Sequence, residues 1–327
     1  MIVSHARLGA CAAAALLAIS LASVPALAQT GPWTARGMIP YDRAEIAVAE
    51  VGGKIYVISG QSRGVDANMF TQEYDPTTGA WRERALMPAV ASHAAAVAFN
   101  GKIYVVGGFV ASVHLGAMDR VFEYDPAADS WKALAPLSAP RGAPGVVVLN
   151  GKIHAIGGRD PQLRTVSTHE VYDPATNKWT MAAALPIPRD HLGIAVVGGK
   201  IHVFGGRLGP TPERSGRHDV YDPATDTWTT AAPLLTPRSA GVFFAVNGKI
   251  VYAGGECKDP QTGTTFDEAE VYDPAANRWT ALAPLPIGRH AGAALTVGDQ
   301  AFVLGGNNGC GANRAARDIL SFRLPPS

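Results

Sequence analysis

The sequence has little net charge, few cysteines and, beyond its N-terminal segment, no long apolar run. Charged residues make up 17% of the 327 residues, and the formal net charge is +1. So neutral a chain offers no basic surface for nucleic acid or an anionic membrane, and we exclude both as partners. The many glycines (36) and prolines (24), without a collagen-like period, instead indicate short strands joined by tight turns.

Residues 1–28 have the features of a secretory signal peptide. Arg7 provides a positive n-region, residues 8–21 form an apolar h-region, and an A-x-A cleavage motif occupies 26–28. A membrane anchor is the weaker alternative, because the apolar run is short and is broken by a proline. We therefore expect an exported protein, periplasmic or secreted, whose mature part (29–327) is not inserted in a membrane.

Cleavage would also change the charge and the cysteine content. It removes one of the 28 cations and none of the 27 acidic residues, so the mature chain is neutral. Of the 3 cysteines, Cys11 leaves with the signal, and Cys257 and Cys310 remain. Two cysteines are too few for a disulfide framework, although in an exported protein they can pair.

A repeat of about 50 residues dominates the mature chain. Six copies each contain an apolar strand that ends in a glycine pair (Ser-Gly in the first copy), and each has a tryptophan at a fixed distance before that pair. The tryptophans are Trp33, Trp81, Trp131, Trp179, Trp228 and Trp279, and the second glycines are Gly60, Gly108, Gly158, Gly206, Gly255 and Gly306. Tyr-Asp-Pro, starting at Tyr74, Tyr124, Tyr172, Tyr221 and Tyr272, keeps a constant distance to the next tryptophan. All length variation therefore falls between the glycines and the tyrosine.

The local chemistry divides each copy into four strands. An apolar strand such as 145–149 is followed by Asn150-Gly151, which suits a two-residue type I′ hairpin. The next strand ends at the glycine pair, where a side chain would block an unusual conformation or a close backbone approach. The third strand ends in the Tyr-Asp-Pro turn, and the fourth carries the tryptophan, which can fill the space between neighbouring sheets.

These motifs resemble the kelch repeat family over essentially the whole mature chain. The resemblance implies an all-β fold, a six-bladed kelch β-propeller with four antiparallel strands per blade around a channel. The last copy ends at Phe322 without its tryptophan, whereas Trp33 opens the chain without preceding strands. We therefore expect the N-terminal strand to complete the last blade, which also removes two free sheet edges.

The variable segments are expected to be loops on one face of the propeller, where repeat proteins place binding sites. They span approximately 61–70, 109–118, 159–168, 207–217, 256–268 and 307–317. Residues near that face are the candidates for ligand binding: Arg141, Arg159, Arg189, His191, Arg207, Arg238, Glu256 and Arg289. Converging arginines can hold a carboxylate or sulfate by bidentate hydrogen bonds.

Two interpretations of these residues stay open. Arg141, Arg189, Arg238 and Arg289 follow their tryptophans at one repeat position, so they either contact ligand or bond loop carbonyls and neighbouring blades. Arg159, Arg207 and Glu256 break the repeat, which slightly favours function; solvated charges of the loops are the alternative. His154 and His202 occupy a tyrosine position of the second strand and are interpreted as packed side chains.

No His, Cys or Asp cluster has metal-ligand spacing, so we predict no metal site and no cofactor. Cys257 and Cys310 belong to loops of adjacent blades, where a disulfide or two free thiols are possible. No catalytic residue can be named. We expect a monomeric binding module for a protein or an anionic glycan; the alternative is a sugar-acid-modifying enzyme, by fold-level resemblance to exported kelch-type propellers such as the N-acetylneuraminate epimerases.

Ring closure by the N-terminal strand can be tested directly. Deleting residues 29–38 should greatly lower the melting temperature, because the last blade would lose its outermost strand and expose an unpaired edge. Thermal unfolding followed by circular dichroism measures this. An unchanged melting curve would contradict the proposed closure.

Overall fold

The computed structural model describes residues 32–325 except 63, 112–113, 210–212 and 312–314. Within this part the chain forms 26 β-strands, which build six four-stranded antiparallel sheets and one two-stranded ribbon. The segment predicted to be a signal peptide lies outside the described residues. In the described part we find no helix with the length and apolarity needed to cross a membrane.

Blades 1 to 3 each use four consecutive strands, ordered from the channel outwards. Blade 1 contains β2 (Ala47–Val51), β3 (Lys54–Ile58), β4 (Thr71–Tyr74) and β5 (Trp81–Glu83). Blade 2 contains β6 (Ala95–Phe99), β7 (Lys102–Val106), β8 (Val121–Asp125) and β9 (Ser130–Ala133). Blade 3 contains β10 (Gly145–Leu149), β11 (Lys152–Ile156), β12 (His169–Asp173) and β13 (Lys178–Met181).

Blades 4 to 6 follow the same plan with two variations. Blade 4 contains β14 (Gly193–Val197), β15 (Lys200–Phe204), β18 (His218–Asp222) and β19 (Thr227–Thr230), and its loop carries the ribbon of β16 (Arg207–Leu208) and β17 (Glu213–Arg214). Blade 5 contains β20 (Val242–Val246), β21 (Lys249–Asp259), β22 (Thr264–Asp273) and β23 (Arg278–Leu282). Blade 6 contains β24 (Ala293–Val297), β25 (Gln300–Leu304), β26 (Asp318–Phe322) and β1 (Trp33–Met38).

The predicted six-bladed architecture and its closure are confirmed. Strand β1 pairs antiparallel with β26, with Trp33 opposite Phe322 and their rings 4.5 Å apart. One prediction was wrong: 256–268 is not an open loop. Strands β21 and β22 continue past the glycine pair as a long hairpin, with Gly255 opposite Phe266 and Asp259 opposite Thr264.

The tryptophans join neighbouring blades at their outer strands. In five blades the indole N–H donates to a backbone carbonyl of the preceding blade, at 2.8–3.0 Å. The bond from Trp33 to Ala283 links β1 to blade 5 and so extends this ladder across the closure. A hydrophobic cluster also fills each interface between blades.

The glycine pairs let one blade approach the next at its backbone. A Cβ on Gly157 would lie 2.5 Å from the carbonyl oxygen of Arg189 in the following blade. The amide of Gly158 donates to that same carbonyl at 2.9 Å, and corresponding bonds occur at the other five interfaces. The predicted close approach therefore explains five of the six pairs, whereas Ser59 takes the first position in blade 1, where the bond of Gly60 to Ala91 is kept at 2.9 Å.

The arginine at each blade entrance is buried beneath its own blade. In blades 3 to 6 it forms an ion pair with a carboxylate of the third strand: Arg141–Glu170, Arg189–Asp219, Arg238–Glu270 and Arg289–Asp318, at 2.5–2.7 Å. In blade 1, Arg43 contacts Gln72 instead. Blade 2 lacks both partners and has Ala91 and Phe122, which pack together in a hydrophobic cluster.

The blade 2 replacement provides a stability test of these ion pairs. Arg141→Ala should lower the free energy of unfolding by about 3–5 kcal/mol, because Glu170 would remain as a buried unpaired charge. The double variant Arg141→Ala, Glu170→Phe copies blade 2 and should recover most of that loss. Urea denaturation measures both. If the double variant is no more stable than the single one, the Ala and Phe of blade 2 cannot replace the Arg141–Glu170 ion pair in blade 3.

Blades 3 and 4 also contain buried histidine pairs, as predicted for His154 and His202. His154 Nδ1 lies 2.9 Å from His169 Nε2, and His202 Nδ1 lies 3.0 Å from His218 Nε2. Burial lowers the pKa of His154 and of His202 to about 4 and that of His218 to about 3. These imidazoles are therefore neutral in the folded protein at neutral pH.

The histidine pairs should make the fold sensitive to acid. Between about pH 6.5 and pH 4 the unfolded chain takes up protons that the folded chain does not, so stability falls as the pH falls. Replacing one pair with the residues of blade 5, as His154→Val with His169→Ala, should flatten that slope. Urea unfolding measured across this pH range gives the slope. An equal slope in the variant would contradict this origin of the acid sensitivity.

Candidate functional site

A ring of residues with left-handed backbone surrounds the mouth of the channel. It lies just before each inner strand and consists of Glu45, His93, Ala143, His191, Ala240 and Ala291, with φ between 50° and 56°. A non-glycine residue in this conformation costs about 1–2 kcal/mol. Backbone hydrogen bonds of 2.6–3.1 Å join five of the six successive pairs into a belt around the channel. The belt offsets the strain and holds six side chains at one level.

A second ring lies beside the first because of a short backbone pairing. The residue before each left-handed position pairs with the residue after each glycine pair: Ala44 with Gln61, Ser92 with Phe109, Gly142 with Arg159, Asp190 with Arg207, Ser239 with Glu256, and His290 with Asn307. This pairing explains how positions far apart in sequence meet at the mouth. The repeat sets their place, and the residue types set the chemistry.

Asp190 is the centre of a buried charge network on one side of the mouth. Its Oδ2 accepts from Arg159 Nε at 2.7 Å, and its Oδ1 accepts from Arg207 Nε at 2.8 Å. Oδ1 also lies 2.6 Å from His191 Nδ1. Burial alone would raise the pKa of the Asp190 carboxyl, but His191 and the two arginines outweigh burial and lower it. Asp190 is therefore an anion that fixes the orientation of three side chains.

Three histidines from separate segments meet beside Arg207. The rings of His93, His114 and His191 have their centroids 4.9–5.3 Å apart. Arg207 Nη2 lies 3.1 Å from His114 Nε2 and 3.1 Å from His191 Nε2. Burial, reinforced by the neighbouring positive groups, lowers the pKa of His114 to about 2 and also lowers that of His191. Both imidazoles are therefore neutral at neutral pH.

Glu45 brings a second carboxylate to the same cluster. Its Oε1 lies 3.2 Å from His93 Nε2, and the other ring nitrogen of His93 contacts Ser92 Oγ at 3.0 Å. Burial would raise the pKa of Glu45, but the charge and hydrogen bond of His93 lower it below its ordinary value. Two carboxylate–imidazole pairs, Glu45–His93 and Asp190–His191, therefore face each other across the mouth.

A cavity of about 170 Å³ opens beneath this cluster along the channel. Its walls are small and apolar residues of the inner strands, and Glu45, His93 and His191 form its polar rim. Several polar atoms nearby are buried without a protein partner, namely His290 Nδ1, Asn307 Oδ1 and Gln61 Nε2. A bound molecule with hydroxyl or carboxylate groups can satisfy such atoms.

The candidate residues separate into two groups. His191, Arg159, Arg207 and Glu256 meet at the mouth, and Arg207 Nη1 lies 3.4 Å from Glu256 Oε2. Arg141, Arg189, Arg238 and Arg289 do not reach the mouth, because each is at most 1% exposed and bonded to a carboxylate within its own blade. This geometry supports a structural role within the repeat for these four arginines, and they do not belong to the site.

Sequence reasoning missed Asp190, His114 and the pairing of Glu45 with His93. His114 belongs to a loop of variable length, which no repeat position constrains. Spacing along the sequence could not reveal the histidine cluster, because the three histidines come from two blades and one loop. A usable signal did exist: Glu45, His93 and His191 occupy a position that is alanine in the other three blades.

Cys257 and Cys310 form a disulfide between the long hairpin of blade 5 and the loop of blade 6, with Cα atoms 4.5 Å apart. Next to it, Cys310 N donates to Gly263 O at 3.0 Å, which joins the same two segments. The bridge therefore restrains two neighbouring segments on the face that carries the site.

Comparison with known proteins identifies the architecture. A family model described as Attractin/LZTR1 beta-propeller matches residues 55–315. Among solved structures 922 chains match, and one titled "Structure of YjhT" superposes with a TM-score of 0.76 at 17% identity, covering 89% of this chain and 97% of that chain. At this identity the likeness shows the fold alone. No curated protein sequence matches the chain.

Proposed function

Because the chain belongs to the Attractin/LZTR1 beta-propeller family, a kelch-type family, we propose that it is an exported binding module that takes an anionic glycan or sugar acid at the channel mouth. The signal-like segment 1–28 and the Cys257–Cys310 bridge support export, since disulfides persist in oxidising compartments. A protein partner at the same loops is the alternative occupant.

The observation that carries this proposal is the concentration of unlike polar groups at one place in an otherwise repetitive ring. Arg159, Arg207, Asp190 and Glu256 all break the repeat, and all lie on the side of the mouth beside His191. Glycans and sugar acids present hydroxyl and carboxylate groups, which need donors and acceptors at short range. The cavity beneath the mouth has apolar walls, which can contact the carbon atoms of the sugar ring.

Arg207 is the residue that we assign to a ligand carboxylate. Its Nη1 contacts Glu256 at 3.4 Å, a long distance for an ion pair, and the Glu256 side chain is 28% exposed. Glu256 therefore occupies the place that a ligand carboxylate would take, and it can move aside into solvent. Asp190 holds the guanidinium at Nε, so Arg207 would keep its position during the exchange.

An enzyme acting on the same ligand is a second candidate, favoured by one observation. The pairs Glu45–His93 and Asp190–His191 place two imidazoles with carboxylate partners on the rim of one cavity. Such pairs are suited to proton transfer to and from a sugar carbon or oxygen. This candidate predicts turnover of the bound sugar acid that His191→Ala abolishes, followed by one-dimensional NMR of the sugar.

Binding can be tested by thermal shift with matched sugars. Hexuronic and nonulosonic acids should raise the melting temperature, whereas the neutral hexoses should not, because a neutral sugar lacks the group that pairs with Arg207. Arg207→Gln should abolish the shift. Arg164→Gln is the control, since Arg164 is an exposed residue of the blade 3 loop bonded to Asp160 and should bind as the parent does.

Two results would overturn the assignment. If no acidic sugar shifts the melting temperature, the mouth is not a sugar-acid site, and the loops remain candidates for a protein partner. If Arg207→Gln binds as tightly as the parent protein, the carboxylate is held elsewhere.

A further inference from the structure

We propose that His93, His114 and His191 form a binding site for a divalent transition-metal ion of the zinc class. One ring nitrogen from each histidine lies within 4.8 Å of the others. The Nε2 atoms of His114 and His191 are 3.4 Å apart. Two ligands of a tetrahedral zinc ion, each about 2.0–2.1 Å from the metal, have nearly this separation.

The positions of the ligands come from the fold. His93 and His191 belong to the left-handed ring, in blades 2 and 4, and face each other past Ala143 of blade 3. His114 reaches them from the blade 2 loop. The ring of Phe109 packs edge-on against both His93 and His114, with centroids 5.4 Å and 5.6 Å away. The imidazoles are therefore held near each other by the scaffold, and a metal ion would not have to gather them.

The partners of two histidines are those that metal ligands use. Asp190 Oδ1 lies 2.6 Å from His191 Nδ1, which leaves Nε2 directed at the cluster. Ser92 Oγ holds Nδ1 of His93 in the same way. Carboxylate and hydroxyl partners on the outer nitrogen fix the tautomer and raise the affinity of the inner one for metal. Glu45 Oε1 contacts His93 Nε2 at 3.2 Å, but only the three imidazoles bring their donor atoms within 4.8 Å of one another, so they are the protein ligands that the geometry supports.

Arg207 is the competitor of the metal ion. Its Nη2 lies 2.7 Å from His191 Nδ1 and 3.1 Å from both His191 Nε2 and His114 Nε2, so the guanidinium lies against the nitrogens that a metal needs. Metal binding requires Nη2 to move away from the histidines, and Glu256, whose carboxylate already contacts Nη1 at 3.4 Å, lies on the side to which the guanidinium can turn. The site therefore makes two opposite predictions. Removing an imidazole should weaken metal binding, and removing the guanidinium should strengthen it.

The experiment uses the metal alone, without any sugar. Protein freed of metal by EDTA and dialysis is titrated with Zn²⁺ against a chromophoric chelator, and with Co²⁺ to record the visible absorption of a tetrahedral site. We expect one ion per chain. His114→Ala should lower the affinity for Zn²⁺ at least about 100-fold, since it removes a ligand outright. Arg207→Met should bind on the order of 10-fold more tightly, because a neighbouring positive charge is gone.

The control is the blade 3 variant His154→Val, His169→Ala, which removes two imidazoles outside the cluster and should bind as the parent does. His114 lies in a loop and is not fully buried, so its removal leaves the core intact. The site is refuted if the parent binds no stoichiometric zinc, if His114→Ala binds as the parent does, or if Arg207→Met binds no more tightly. If the sugar screen described above is run with EDTA in the buffer, either proposal can fail while the other stands.

Discussion

The left-handed residue at the entrance to each inner strand is the constraint on which the site depends. Six such residues are joined by a nearly complete belt of backbone hydrogen bonds, so their side chains share one level at the channel mouth. The same geometry pairs the preceding residue with the one that follows a glycine pair, which brings Arg207 against Asp190. The scaffold supplies the positions, and three blades fill them with alanine while three use Glu or His.

Most of the fold could be predicted from the sequence, because backbone geometry determines which residues can occupy its repeat positions. A glycine is required where the carbonyl of Arg189 approaches Gly157, and a tryptophan is retained where its indole bonds the preceding blade. The site was harder to predict. Arg141 and Arg207 were both candidates for ligand binding in the sequence, yet Arg141 is paired beneath its blade and Arg207 reaches the mouth. The replacement of Arg and Glu by Ala91 and Phe122 together in blade 2 was the clue that separates these roles.

The charges at the mouth are arranged to keep a buried network ionised and two histidines, His114 and His191, neutral. Burial raises the pKa of the Asp190 carboxyl, but His191 and the two arginines lower it by more, so Asp190 is ionised. Burial and the positive charge of Arg207 lower the pKa of His114 and of His191, so both imidazoles are neutral. Removing such groups from water is costly unless each is paired, so the network also limits the geometries that the mouth can adopt. Glu256 and His114, the more accessible members, are the parts left free to respond to an arriving ligand.

Closure within blade 6 has a topological consequence. Since β1 and β26 are adjacent antiparallel strands of one sheet, the first and last strands of the described part lie beside each other, and the circle has no intrinsic starting point. In each of the other five blades the turn that joins the third and fourth strands is equivalent to this seam. A circularly permuted gene, with the native ends joined and a new opening at one of those turns, would encode the same ring with its mouth untouched.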